Sequence, residues 1–552
     1  MRHILRYLVF CLAGLSFAEP LSLWGQEPTQ VLRPSATSSD TAAEKIVERP
    51  LGFTPLEEAQ QLFRMGQFDE AINRYKKIVS GGTDGAAAYA GLVRVYLKLK
   101  KPNDAYSAAR KAVELDPSLA TAHSALGEVL FRQGKLDEAN TEFLFPLKAG
   151  HADPRAYLGL SQVFAATFYF KKAKAAIEKA HDLDPTDPNI FENWIQTRPD
   201  SEQIKALEDV ITSPSNYYSR AEKAGFKQQL ALMKDRAEHP ERTCSLANRP
   251  DSAELQLQRA EDTTYLALAL NVQLNGEKSR LQVSTDDSGV VINGKLAAKM
   301  GVQPIVRVDM DDLGDQNPPE GYVGFARTIK IGNLEFRDCY VTVVEHASRG
   351  SLFDLIRGRI GAQMFSSYLM DYDIPDRKLK LQPLPSLPGP EDRDSATMDS
   401  RSLDARKFND RYTAPEMGAW ERAYYFDGAY FVALRVNDSP PKFFRVSAAT
   451  DATFITTELA RQSAWLISDG DSRAVGLNGT IKRTFDTGPV KLAFGHFIYP
   501  ANSELSVDLT KYSDDAGTEI SGLLGFDVLQ NLDFTIDYRD GLIDFEYNKK
   551  HQ

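Results

Sequence analysis

Apolar and small residues recur every 34 positions through the early part of the chain. Ala71, Ala105, Ala139 and Ala173 hold one position of this period, and Leu62, Tyr96, Leu130 and Phe164 hold another. Local text repeats with them: Gly66-Gln67-Phe68-Asp69-Glu70-Ala71 is answered by Gly134-Lys135-Leu136-Asp137-Glu138-Ala139. Leu115-Asp116-Pro117 and Leu183-Asp184-Pro185 close two of the units. Small residues where two helices approach, and Asp-Pro stopping the second helix, predict helix pairs over residues 55–187. Such a pair cannot bury its apolar face alone, so the units stack into a solenoid with a concave surface. Residues 188–250 keep helix-like stretches at 201–207 and 221–235 without the period, and are expected to form a helical cap or adaptor.

Further on the pattern shortens to that of strands. Ile331-Gly332-Asn333-Leu334-Glu335-Phe336 and Val341-Thr342-Val343-Val344 show the alternation of half-buried β structure. Much of this half is written twice. Gly361, Asp373, Asp376 and Leu381 are matched by Gly525, Asp537, Asp540 and Phe545 at a constant offset of 164. Upstream, Leu281-Gln282-Val283-Ser284-Thr285-Asp286-Asp287 leads to Val290-Val291-Ile292 and a short helix from Lys295 to Gly301. Phe444-Arg445-Val446-Ser447-Ala448-Ala449-Thr450-Asp451 likewise leads to Thr453-Phe454-Ile455 and a helix from Glu458. The region is a duplicated lobe.

The 34-residue units resemble tetratricopeptide repeats. The duplicated lobes resemble the aspartic protease superfamily, pepsin-like and retropepsin-like, over roughly residues 260–548. In that family each lobe has a strand, an Asp-Thr-Gly loop, a second strand, and later an apolar-apolar-Gly segment passing behind the loop. The resemblance therefore implies a multidomain chain, an all-α solenoid followed by an all-β two-lobed domain. The divisions are 1–18 signal peptide, 19–54 disordered linker, 55–187 repeats, 188–250 cap, 251–385 first lobe, 386–410 linker and 411–548 second lobe.

Carried onto this chain, the motif puts Ser284 and Ser447 where the two catalytic aspartates would stand, with Gly361 and Gly525 supporting the cleft from behind. Gly361 lies 77 residues after Ser284 and Gly525 lies 78 after Ser447, so the registers agree. The family's chemistry needs two carboxylates sharing a proton. A serine hydroxyl stays protonated near neutral pH and cannot act in their place as general base. Displaced acids, Asp286 with Asp451, are the alternative dyad. As a nucleophile either serine would need a base, and His346 and His496 are the histidines inside the lobes. Asp486-Thr487-Gly488 stands only 39 residues before Gly525 and is followed by Pro489, so it reads as a turn into the strand at 490–494. Residues 317–322 could tip a hairpin over the cleft, although a plain surface hairpin has the same turn chemistry.

The amino terminus sets an expectation about compartment. Arg2, His3 and Arg6 precede an apolar run over residues 7–17, with Ser16-Phe17-Ala18 offering a cleavage point before Glu19. This predicts an exported, periplasmic or extracellular protein with no membrane span after cleavage, the alternative being an uncleaved anchor. There Cys244 and Cys339 could form a disulfide, and no residues are spaced as metal ligands. The net charge of −11 argues against nucleic acid. No cofactor is implied, and the oligomeric state is left open. The expected function is an exported scaffold that binds a peptide or protein, with an inactive protease-like domain. The alternative is an aspartic-type endopeptidase with an atypical carboxylate pair.

Overall fold

The computed structural model describes residues 5–7, 53–82, 84–259, 267–285, 287–310, 320–345, 353, 356–387, 411–464, 466–467, 473–476, 479–481 and 483–547. The expected signal peptide and tether lie outside these, apart from the strand Leu5–Tyr7, paired in parallel with residues 473–475, and the residues entering the first helix. Most of the linker expected at 386–410 lies outside them too.

The solenoid begins at α1 (Pro55–Arg64), started by a capping box in which Thr54 and Glu57 satisfy each other's backbone N–H. It continues as α2 (Phe68–Gly81), α3 (Gly85–Lys98), α4 (Pro102–Leu115), α5 (Ala120–Arg132), α6 (Leu136–Lys148), α7 (Pro154–Ala166) and α8 (Phe170–Leu183). Ala71, Ala105 and Ala139 are fully buried where paired helices cross; close-packed helices leave no room there for a longer side chain. Each pair reverses through one residue with positive φ, and these too are 34 apart: Gly66 (76°), Lys100 (57°), Gly134 (73°) and Phe168 (66°).

A bulky residue in that conformation needs compensation, and Phe168 finds it in the β-rich region. Its ring is 1% exposed and packs on Gly541, where an added Cβ would come within 2.2 Å of it. Nearby, Arg132 pairs with Asp514 at 2.6 Å, the Thr518 hydroxyl donates to the Phe131 carbonyl at 2.8 Å, and Phe443 lies beside Gly134. The solenoid is therefore docked by its turn edge onto the second half of the chain.

Helices α9 (Pro188–Ile195), α10 (Asp200–Thr212) and α11 (Arg220–Glu238) follow. The expected helical adaptor does not run to residue 250. Ser245–Leu246 is a strand paired with residues 336–337, and Cys244 is disulfide-bonded to Cys339, 95 residues away. The alternating β pattern of the receiving strand offers an edge for this segment.

In the first lobe β1 (Glu277–Ser284), β2 (Val290–Asn293) and β3 (Gly358–Gly361) pack with Leu268–Leu274, Glu320–Ile331 and Leu334–Val344 into a sheet that closes on itself like a barrel. A hairpin follows, β4 (Tyr368–Asp373) with β5 (Lys378–Pro383). The second lobe repeats these elements as β6 (Lys442–Val446), β7 (Phe454–Thr456), β8 (Gly522–Leu524), β9 (Leu532–Asp537) and β10 (Leu542–Tyr547). In both, the third strand runs parallel to the first and antiparallel to the second.

The hairpins join the lobes. Strands β4 and β9 pair antiparallel at Met370↔Ile536, Asp371↔Thr535 and Tyr372↔Phe534. The sequence offset of 164 exchanges the outer two pairs and maps Asp371 onto Thr535, its own partner. That reciprocity is what a two-fold contact between like units requires. It follows from strand pairing alone and agrees with the repeat found along the sequence.

Candidate functional site

The two loops at the ends of β1 and β6 meet at the lobe junction. The Thr285 hydroxyl donates to the Val446 carbonyl at 2.7 Å and accepts the Ala448 N–H at 3.0 Å. Gln282 donates to the Ala449 carbonyl at 3.0 Å, and the Tyr538 hydroxyl donates to the Thr285 carbonyl at 3.2 Å. Thr285 and Ala448 occupy the same position in their loops, so the hydroxyl clasp is one-sided. Ala448 has no group with which to return it.

Ser284 and Ser447 are both fully buried, and their hydroxyls hold their own loops. Ser284 Oγ accepts the Asp287 N–H at 3.1 Å, and Ser447 Oγ lies 2.8 Å from the Thr450 hydroxyl. Glycine behind each loop is a steric requirement. A Cβ on Gly361 would fall 2.1 Å from the Asp287 carbonyl oxygen, and one on Gly525 would fall 2.3 Å from the Ala452 carbonyl. Backbone bonds then tie the layers, Gly361 to Gly289 and Phe526 to Thr450, each at 2.7 Å.

Asp286 and His346 lie outside the described residues, as do residues 317–319 of the expected hairpin tip, while 320–322 begin the strand Glu320–Ile331. Asp451 is buried at 9% exposure, and its carbonyl accepts the Asp527 N–H at 3.2 Å. His496 stands exposed in the turn between Val490–Phe494 and Phe497–Ala501. The expectation of a turn at Asp486-Thr487-Gly488 needs correction. Phe485–Thr487 is a strand paired on both sides, and only Gly488 and Pro489 form the connection to the next strand. The Thr487 hydroxyl is used locally, accepting the Glu504 N–H at 2.9 Å.

The pairing of Arg359 with Asp287 passes unnoticed in the strand pattern. The guanidinium, 0% exposed, lies 3.0 Å from the Asp287 carboxylate directly under the first loop. The signal was available, since an arginine beside Ile360-Gly361 in an otherwise apolar strand must be paired when buried.

Below the junction the duplicated turns differ in charge. In copy one Asp373 accepts the Asp376 N–H at 3.1 Å and Lys380 Nζ at 2.9 Å. In copy two Asp537 accepts the Asp540 N–H at 3.0 Å, but Asp544 occupies the position of Lys380. Burial, with Asp540 nearby, pushes the Asp537 carboxyl up to about 6. A raised folded-state value favours the protonated form, so the contribution is complete below the unfolded value near 4 and is lost as pH rises through about 6. Asp537→Asn is expected to gain on the order of 2–3 kcal/mol at pH 7 and almost nothing at pH 3. Urea unfolding at the two pH values checks this, and an equal effect at both would refute it.

Models of the tetratricopeptide repeat match residues 56–120 and 91–144, and a second repeat model matches residues 154–187. Residues 56–187 thus hold tetratricopeptide repeats. The chain is 28% identical over 148 residues to heat shock protein STI1 of Saccharomyces cerevisiae, covering 26% of this chain and 24% of that protein. It is 32% identical over 136 residues to DnaJ homolog subfamily C member 3 of Bos taurus, covering 25% and 27%. The chain thus spans about a quarter of the length of these curated relatives. A crystal structure of a thermophilic TPR protein from Thermus thermophilus aligns at 18% identity with a TM-score of 0.25, covering 33% of this chain and 97% of that one.

Proposed function

We propose that this chain is an exported polypeptide-binding scaffold whose β-rich half is an aspartic-protease-like domain without the family's catalytic carboxylates. The observation that carries this reading is the loop junction. Thr285 reaches across to the backbone on both sides of Ser447, while the Ser284 hydroxyl accepts the Asp287 N–H and the Ser447 hydroxyl lies beside that of Thr450. Loops that meet in this way support the reading of a two-lobed cleft floor. Two buried hydroxyls offer neither the shared proton nor the ionised base that activates water. The repeats favour a protein partner, since stacked helix pairs present extended surfaces suited to polypeptides. Export is favoured by the apolar leader and by a disulfide, which persists in oxidising compartments.

The test uses a permanently unfolded, reduced and alkylated polypeptide carrying a fluorescent label. Fluorescence anisotropy should rise on adding the full chain. Absence of binding at micromolar protein would remove the scaffold reading.

A further inference from the structure

The first helices of successive repeats, α1, α3, α5 and α7, pack on one another and so line the inner face of the solenoid. At its first two repeats that face is covered by the chain itself. Tyr217, 2% exposed, packs edge-on against Phe63 at 5.5 Å and donates its hydroxyl to Asn189 at 2.7 Å. Lys98 Nζ sits 4.5 Å from the Tyr217 ring and 5.2 Å from the Tyr218 ring, and it pairs with Glu222 at 2.8 Å. Asn216 donates its N–H to the Met65 carbonyl, and Gly66 has no side chain where residues 216–217 cross; a Cβ there would lie 2.2 Å from the Asn216 carbonyl carbon.

The cations on this face are periodic. Arg64 and Lys98 stand 34 residues apart, at one position of the repeat, and meet Asp184 and Glu222 from later in the chain; Arg132, next at that position, is taken by Asp514 where the turn edge docks. Two cations beside an aromatic slot suit an extended segment that carries aromatic rings and a carboxylate. We infer that the inner face is a binding groove for a peptide with adjacent tyrosines followed by an acidic residue. Residues 213–222 are its built-in occupant, held in cis until a segment of the same chemistry displaces them. This rests on the reading of the solenoid as a polypeptide binder and names the class of peptide it takes.

A groove occupied in cis is rarely open, and its apparent affinity for an outside peptide falls by the open fraction. The probe is a fluorescent peptide of residues 213–226, added to the full chain. Tyr217→Ala with Tyr218→Ala should bind it at least about tenfold more tightly than the parent does. Adding Lys98→Ala should abolish that gain, and a probe with both tyrosines replaced by alanine should not bind. Glu222→Ala, at a side chain 43% exposed, is the milder release and should give a smaller gain in the same direction. Folded variants that bind the probe no better than the parent would overturn the proposal and leave the segment as a structural cap. Failure here with the unfolded polypeptide still bound sinks the groove alone; the reverse result sinks the scaffold reading alone.

Discussion

Thr285→Ala is expected to cost the β-rich half about 2–5 kcal/mol, because it strips a buried carbonyl and a buried N–H of their partner at once. The hydroxyl bridges Val446 and Ala448 on the opposite lobe and is 1% exposed, so water cannot take its place without opening the junction. Thr285→Ser keeps the bridging oxygen and should retain most of the stability. Chemical denaturation of the three proteins decides the matter. An alanine variant within about 0.5 kcal/mol of the parent would mean that the lobes do not depend on this clasp.

A loss of about 3–5 kcal/mol is expected for Arg359→Ala, since it strands the Asp287 carboxylate in a site without solvent. Arg359 is 0% exposed and Asp287 5%, and the carboxylate belongs to the loop whose N–H is held by Ser284. Replacing both partners, Asp287→Asn with Arg359→Met, should recover much of that loss, because a buried pair stabilises little beyond what apolar packing gives. A double-mutant cycle measured by denaturation tests it. Additive effects of the two single changes would show that the pair is not coupled.

The parts of the fold that could be read from the chain are those where geometry forces residue type at a fixed spacing. Alanine at helix crossings marks the repeats, and the Asp373–Asp376 and Asp537–Asp540 turns mark the duplication because the same N–H is capped in each. Gly361 and Gly525 stand where backbone crosses backbone, so no other residue fits. Contacts between distant segments left no such trace. Arg132 and Asp514 lie 382 residues apart, and neither carries a local signature of its partner. Phe168 disguised the turn of the fourth repeat, holding a backbone conformation usually given to glycine because its ring is needed against Gly541. Asp486-Thr487-Gly488 misleads in the other direction, since a short motif says nothing about strand pairing.

The domain organisation also bears on how binding and stability are linked. The solenoid's turn edge is committed to the second lobe through Phe131, Phe168 and Arg132, so its helices are braced by the β-rich half. On the proposed scaffold function, that leaves the inner face for a partner.

The most direct test of a protease-like site without protease chemistry is mass spectrometry of a diverse peptide mixture incubated with the full chain from pH 3 to 8, beside Asp451→Asn and Asp286→Asn. The expected result is no new termini at any pH in any of the three proteins. Cuts made by the parent and lost in either variant would contradict the account and establish a displaced carboxylate pair.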